Sequence, residues 1–398
     1  MPTRRDILRS SSLIALAPTV PGFLARLARA TEPERDGRAL VVIQLDGGND
    51  GINTVVPFGD EGYSRHRKAL RIAAGRLIKL GDGVGLHPAM GDMGKLLESG
   101  RLGIVPGVGY PNPSRSHFQS MAVWQTARLD PEDHTGPGWL GRGLDGAGEG
   151  RDGSTFIGAG SPPIALRGRR STASTLERIE DLTLDGGLAR QDLAEPSASA
   201  GGDSLAGFVR RSALDAYAAS DRMAGLAGDR ASSARYPETA LGGRLKLIAR
   251  LLKGGYGSRV FYAAQGGYDT HSAQLGPHFE LLGDLSGTIK AFLDDLATSG
   301  LADRVLVLAF SEFGRRVAEN GSAGTDHGAS GPVFLAGPAV KPGLLSPYPG
   351  LADLDAEGDL KVLLDFRRIY AAILAGWLGL PADSTLGGSF EPLPIFKV

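Results

Sequence analysis

Five short runs gather carboxylates, imidazoles and hydroxyls beside glycines. Asp46-Gly47-Gly48-Asn49-Asp50-Gly51 reads in two ways. It is either a glycine-rich turn with Asp and Asn as turn formers, or a carboxylate offered to a ligand that the glycines let backbone approach. No Gly-Lys-Ser/Thr follows, so it is not a phosphate loop. Ser114-Arg115-Ser116-His117 opens a helical pattern. Ser116 is a natural N-cap, yet a helix start also presents amide donors and a positive pole to an anion. Ser116, ahead of Ser114, is therefore a candidate nucleophile toward phosphate or sulfate, with Arg115 to steady the anion and His117 as a base. Gly266-Gly267-Tyr268-Asp269-Thr270-His271 holds an Asp-x-His pair. Such a pair either brings oxygen and imidazole to one metal or is a turn whose Asp269 caps the next helix.

Ser311-Glu312-Phe313-Gly314-Arg315 and Gly324-Thr325-Asp326-His327-Gly328 add two acids between them, another arginine and another histidine. Mixed carboxylate and imidazole donors describe a hydrolytic site built on a divalent cation, which polarises phosphoryl oxygens or activates water. The other four of the seven histidines read differently. His87, ahead of Pro88, is expected to start a helix, and His66, His134 and His278 to be surface or capping residues.

These runs need elements to hold them. Continuous apolar stretches at 39–45 (ALVVIQL), 102–108, 259–264, 304–310 and 333–336 read as buried strands, since they do not alternate. Between them lie apolar residues stepping by three or four: Leu241, Leu245, Ile248 and Leu252; Leu275, Phe279, Leu282, Leu285, Ile289, Phe292 and Leu296; and a third set across 366–378. Buried strands alternating with amphipathic helices predict an α/β fold, a largely parallel sheet with helices on both faces. In such sheets ligands bind beyond the C-terminal strand ends. Four of the runs directly follow a predicted strand and the fifth precedes the last one. The stretch 168–236, rich in Ser, Ala, Gly and charge, reads as a cap or insertion with a helix around 208–226, on a single domain spanning 31–398.

Composition narrows the function. The 398 residues carry 43 Lys and Arg against 44 Asp and Glu, a net charge of −1. That offers no basic face for nucleic acid and no long-range field for an anionic membrane. The absence of cysteine excludes disulfides, iron–sulfur clusters, thiolate zinc and a Cys nucleophile. Thr3-Arg4-Arg5-Asp6-Ile7-Leu8-Arg9 is a twin-arginine pattern, followed by a weakly apolar stretch over 10–27 and by Ala28-Arg29-Ala30. Pro18 and Pro21 would break an ordinary helix, and the run is shorter than the roughly 20 residues of a membrane span. The expectation is a leader over 1–30, the Tat translocase as export partner, and a periplasmic or secreted mature chain without a transmembrane segment.

The ordered set LDGGNDGINTVVP, LHP, SRSHF, GWLGR, GGYDTH, SEFGRR and GTDHG resembles the DUF1501 family of twin-arginine-exported bacterial proteins, from about residue 39 to the C-terminus with a poorly matching middle. That family is distantly similar to the alkaline phosphatase and sulfatase superfamily. The resemblance implies an alkaline-phosphatase-like sheet and metal-assisted phosphoryl or sulfuryl transfer on a small anionic ester. It implies Asp46, Asp269, His271, Glu312, Asp326 and His327 as metal ligands, Ser116 as nucleophile, and Arg115 or Arg315 against the anion. Two departures matter. Pro111 holds the nucleophile position of the sulfatase signature whose tail Pro113-Ser114-Arg115 resembles, which excludes the formylglycine mechanism. Phe313 replaces a superfamily histidine and removes a nitrogen donor. The expectation is one tightly held ion on Asp269, His271 and His327, with a weak oxygen-rich second site of Asp46 and Glu312 that suits Mg²⁺, Mn²⁺ or Ca²⁺ better than zinc. The alternative is a non-catalytic envelope binding or assembly protein that keeps the fold.

Overall fold

The central strand explains a two-sided architecture. β1, Ala39–Asp46, is buried at every position but its last. Alternate side chains of a strand point to opposite faces, so Val41, Ile43 and Leu45 enter one core cluster while Leu40 and Val42 enter the other. Each fully buried aliphatic of this kind contributes roughly 1.5–3 kcal/mol. The computed structural model describes residues 37–397 apart from 82, 148–152, 172 and 179–233. The expected leader and the helix expected around 208–226 lie outside the described residues.

Three short strands, β2 (Val55–Val56), β3 (Ile78–Gly81) and β4 (Val84–Leu86), form a small antiparallel sheet. The main sheet combines β1 with β5 (Leu102–Gly109), β6 (Ser154–Ile157), β7 (Ala173–Leu176), β8 (Val260–Gly266), β9 (Val305–Ser311), β10 (Gly331–Ala336), β11 (Gly343–Leu344) and β12 (Leu364–Asp365). Its order is β11-β5-β10-β9-β1-β8-β6-β7, with β12 also on β5. Every pair is parallel except those of β10, which runs against both β5 and β9. The fold is thus α/β with a largely parallel sheet, and the five strands read from apolar runs are all present. β6 and β7 (STFI and ASTL) are too short and too polar to announce themselves. β7 also falls inside the stretch expected as an insertion, where it forms the sheet edge.

Helices cover both faces. α1 (His117–Thr126) and α4 (Phe366–Ala372, continued by a π-helical turn Ile373–Leu378) pack with the Leu40 side of β1. α2 (Ala240–Lys253) and α3 (Leu275–Ala297) pack with the Val41 side. On α3 the expected stripe is corrected at its start. Leu275 and Phe279 are 45 % and 44 % exposed, whereas His278, expected at the surface, is buried. His278 sits four residues before Leu282 and seven before Leu285, so it continues the inward row. Its ring meets Asn49 Oδ1 at 3.0 Å and Thr54 Oγ1 at 3.4 Å, and that polar pocket sets the rotation of the first turn. His87 does start a helix, accepting the Ala89 amide at 3.1 Å at the head of a 3₁₀ turn.

Candidate metal centre

Sheet register brings the five runs to one end. Asp46 pairs with Gly266 and Leu45 with Ser311, so β8, β1 and β9 finish level. β5 and β9 point the same way because both oppose β10, which begins at Gly331 opposite Val108. The loops after β1, β5, β8 and β9, and the return into β10, therefore open together beyond the C-terminal strand ends, where α/β sheets place ligands.

The loops are then knitted to each other. Arg316 N–H donates to Asp326 O at 3.0 Å, and Gly328 N–H to Gly314 O at 2.9 Å, folding the segment after β9 back on itself. Thr325 N–H reaches Thr270 O at 3.2 Å, and Gln274 N–H reaches Ala323 O at 2.9 Å. Gly47 has φ +115° and a Cβ there would lie 2.5 Å from the Asp269 amide nitrogen, so only glycine lets the first and third runs touch.

Asp269, His271, His327 and His117 meet at the centre. Asp269 Oδ1 lies 3.0 Å from His271 Nε2, 3.1 Å from His327 Nε2 and 3.6 Å from His117 Nε2. His271 and His327 Nε2 are 3.0 Å apart. One ligand atom each from His117, Asp269 and His327 fall within 4.8 Å of one another. Asp269 does not cap a helix, since α3 begins only after Gln274. Its carboxyl feels burial first, which would raise it. The hydrogen bond and charge of Arg315 at its Oδ1 outweigh that and hold it at about 2.

The remaining expected residues surround this group. Glu312 is buried, and its Oε1 accepts from Gly47 N–H at 3.0 Å and faces His117 Nδ1 at 2.7 Å. Asp46 stands at the same strand ends, and its carboxyl is raised by burial and then by the Glu312 charge. Asp326 faces His271 Nδ1 at 3.1 Å and is held below its ordinary value by the Asn320 amide and then by His271. Arg315 is 1 % exposed; its guanidinium donates to Gly47 O, Gly48 O, Tyr268 O, Thr325 O and Asp269 Oδ1, tying the loops together. Arg115 donates to Asp359. Ser116 occupies the N-cap of α1 without a capping bond from its side chain, and it is exposed. Ser114 is spent locally, accepting the Ser116 amide and donating to Gln119.

The far nitrogens decide whether this group suits a cation. His327 Nδ1 lies 2.8 Å from the carbonyl of Arg115, which can only accept, so Nδ1 carries the proton and Nε2 is a lone pair. His117 Nδ1 faces Glu312, which favours the same tautomer there. His271 has a carboxylate at each nitrogen, Asp326 at Nδ1 and Asp269 at Nε2, so its Nδ1 can carry the proton when Nε2 meets a cation. Three imidazole lone pairs and a carboxylate oxygen then face one another. Sharing a proton between His271 and His327 would still leave His117 Nε2 buried without a hydrogen-bond partner. Four donors at 2.0–2.1 Å from a tetrahedral ion are about 3.3–3.4 Å apart; Asp269 Oδ1 lies 3.0–3.6 Å from the three imidazoles and His271 lies 3.0 Å from His327, while His117, Asp269 and His327 fall within 4.8 Å of one another. The residues present fit a metal.

Sequence reading assigned His117 to proton transfer rather than to this cluster. Its position at the first turn of α1, right after a strand end, was the available signal. Gln274, which links Asp50 Oδ2 to Thr325 Oγ1 beneath the loops, had no signal at all.

A family model described as "Protein of unknown function (DUF1501)" matches residues 37–385. The sequence matches no curated protein. Among solved structures, the chain is similar to the C-terminal periplasmic domain of EptC from Escherichia coli in complex with zinc, at 9 % identity over 89 % of this chain and 85 % of that one, TM-score 0.41. It is similar to the PsFucS1 sulfatase from Pseudoalteromonas sp. at 12 % identity over 95 % and 77 %, TM-score 0.40. It is also similar to the lipoteichoic acid synthase LtaP from Listeria monocytogenes at 12 % identity over 81 % and 72 %, TM-score 0.35. Likeness this distant says nothing of activity.

Proposed function

Since the chain belongs to the DUF1501 family, whose description assigns no activity, we propose a function from its own site: an exported, metal-dependent hydrolase of phosphate or sulfate esters, working in the periplasm or outside the cell. The observation that carries this reading is the meeting of Asp269 Oδ1 with the Nε2 atoms of His117, His271 and His327 beyond the strand ends. Asp269, His271 and His327, with His117, would hold the ion. Among zinc, manganese, magnesium and calcium, the imidazole-rich set favours zinc. A bound ion supplies polarisation of an ester oxygen and acidification of water.

The chain's own residues supply the rest. Ser116 is the proposed nucleophile at the positive end of α1, whose amides favour charge developing on the transferred group. Its Oγ forms a bond to phosphorus or sulfur, the bond to the alcohol oxygen breaks, and the alcohol leaves with a proton. Water then cleaves the seryl ester and releases phosphate or sulfate. Asp46, raised by burial and then by the Glu312 charge, holds a proton more readily than an ordinary carboxylate and suits the transfer step.

One observation favours a second reading, an envelope binding or assembly protein with a structural ion. Arg115 is engaged by Asp359 and Arg315 by backbone carbonyls and Asp269, so a substrate anion must compete for either. Metal analysis of protein purified from the periplasm, together with turnover of aryl phosphate and aryl sulfate esters, separates the two. A bound ion with turnover that Asp269→Asn and Ser116→Ala both abolish supports the hydrolase. A bound ion without turnover of either ester class supports the second reading, and protein without any ion refutes the hydrolase and leaves the second reading in a metal-free form.

A further inference from the structure

Resting on the metal-centre reading above, we infer that Glu312 is a positioning residue and His117 a ligand: Glu312 holds the Nδ1 proton of His117 and so keeps His117 Nε2 as the fourth donor beside Asp269, His271 and His327. The oxygens of Glu312 already face protein donors. Oε1 takes the Gly47 amide at 3.0 Å and His117 Nδ1 at 2.7 Å, and Oε2 lies 2.9 Å from the Ser311 hydroxyl, whose one proton it shares with Leu45 O at 2.7 Å. The carbonyl of Glu312 accepts the Ser120 hydroxyl at 2.5 Å, which fastens the first turn of α1 and with it His117. An acid pinned on three sides makes a rigid proton holder and has little capacity left for an ion.

His117 cannot turn away. Its ring lies 4.9 Å from the Phe313 ring and 4.4 Å from the His327 ring, and Phe313 lies 4.8 Å from His327. Phe313, where the resemblance leads one to expect an imidazole, is thus an apolar wall that holds two imidazoles edge to face. The outward-anchored Nδ1 and inward Nε2 recur at His327 through Arg115 O and at His271 through Asp326. An acceptor on the far nitrogen fixes the ring and raises the basicity of the ligating one, and losing such a partner weakens metal affinity about 10- to 100-fold.

Cobalt(II) titrated into the metal-free full chain tests this, because four-coordinate cobalt absorbs visible light far more strongly than six-coordinate cobalt. The wild type should take one tight equivalent with intense bands. His117→Ala should weaken binding and change the bands. Glu312→Gln should weaken binding about 10- to 100-fold while keeping the wild-type bands, since the ligand set is unaltered. Long-range ¹H–¹⁵N spectra of the histidine rings should show metal-free His117 with its proton on Nδ1, and a shift toward Nε2 in Glu312→Gln. Should that variant fail to fold, the wild-type spectrum still decides: a proton on Nε2 overturns the inference. Unchanged cobalt affinity and bands in His117→Ala also overturn it, as does a Glu312→Gln variant that loses a second equivalent and keeps the first intact. Those outcomes leave a metal bound and spare the functional reading, whereas a wild type that binds no cobalt removes both.

Discussion

Arg67 and Asp50 form a two-pronged ion pair sealed from water, with Nη1 to Oδ2 at 2.6 Å, Nη2 to Oδ1 at 2.9 Å and both side chains 0 % exposed. Arg67 also donates to Val317 O and Arg316 O, and Gln274 donates to the same carboxylate. The pair therefore lies under three of the loops that shape the metal centre. Burial by itself would raise the Asp50 carboxyl, but the Arg67 charge and hydrogen bonds overcome this and hold it at about 2.

Removing one partner should cost far more than the pair is worth. Asp50→Asn strands a buried guanidinium and should lower stability by about 3–5 kcal/mol in urea unfolding. Replacing both residues by apolar side chains should recover much of that. A loss under about 1 kcal/mol for the single variant would show that water reaches Arg67 after all. Because the carboxyl is depressed in the folded state, its contribution is complete above 3.8 and is lost as pH falls toward about 2.

The buried histidines should make stability fall with pH in the same direction but in a higher window, because burial favours their neutral form. Burial holds His278 at about 4 and His87 at about 3, against 6.5 when unfolded. Below 6.5 the unfolded chain takes up protons that the folded chain refuses, so stability should decline from pH 6.5 to about 4. Urea midpoints at pH 7, 6 and 5 measure the slope. An identical slope in His278→Gln would exclude His278 as its source.

Metal stoichiometry follows from the donor set. One zinc should bind tightly, and any second ion weakly, because Glu312 is occupied by protein donors and Phe313 offers none. Calorimetry that finds two zinc ions of similar tight affinity would disprove this.

Two glycines of positive φ separate backbone strain from site geometry. Gly47 and Gly300 both have positive φ, but a Cβ at Gly47 strikes the Asp269 backbone at 2.5 Å while one at Gly300 meets open space. Gly300→Ala should lose only about 1 kcal/mol and bind zinc normally. Gly47→Ala should displace Asp269 and weaken zinc binding as well. Equal zinc affinities in the two variants would argue against the contact as the cause.

Export should depend on Arg4 and Arg5. Changing both to Lys should leave precursor in the cytoplasm, as fractionation and immunoblotting would reveal. Normal appearance of that variant in the periplasm would refute the Tat assignment.

Continuous apolar runs made the five long strands legible, and spacing by three and four made α2 and most of α3 legible, because both patterns are local consequences of backbone geometry. The chemistry-bearing runs were legible too, as glycine-flanked acids and histidines next to strand ends. Side-chain roles were not. His278 continues the buried row of α3, but the partner that makes its burial tolerable, Asn49, lies more than two hundred residues earlier. Nor could the sequence show that the Gly47 amide, the Ser311 hydroxyl and His117 gather on Glu312. Arg315 looked free to meet an anion, yet it is closed over by carbonyls from three loops. Local sequence dictates which backbone shapes are cheap. The partner of each buried polar group is chosen instead by strand order and register, which join residues far apart in the chain, and desolvation makes that choice binding.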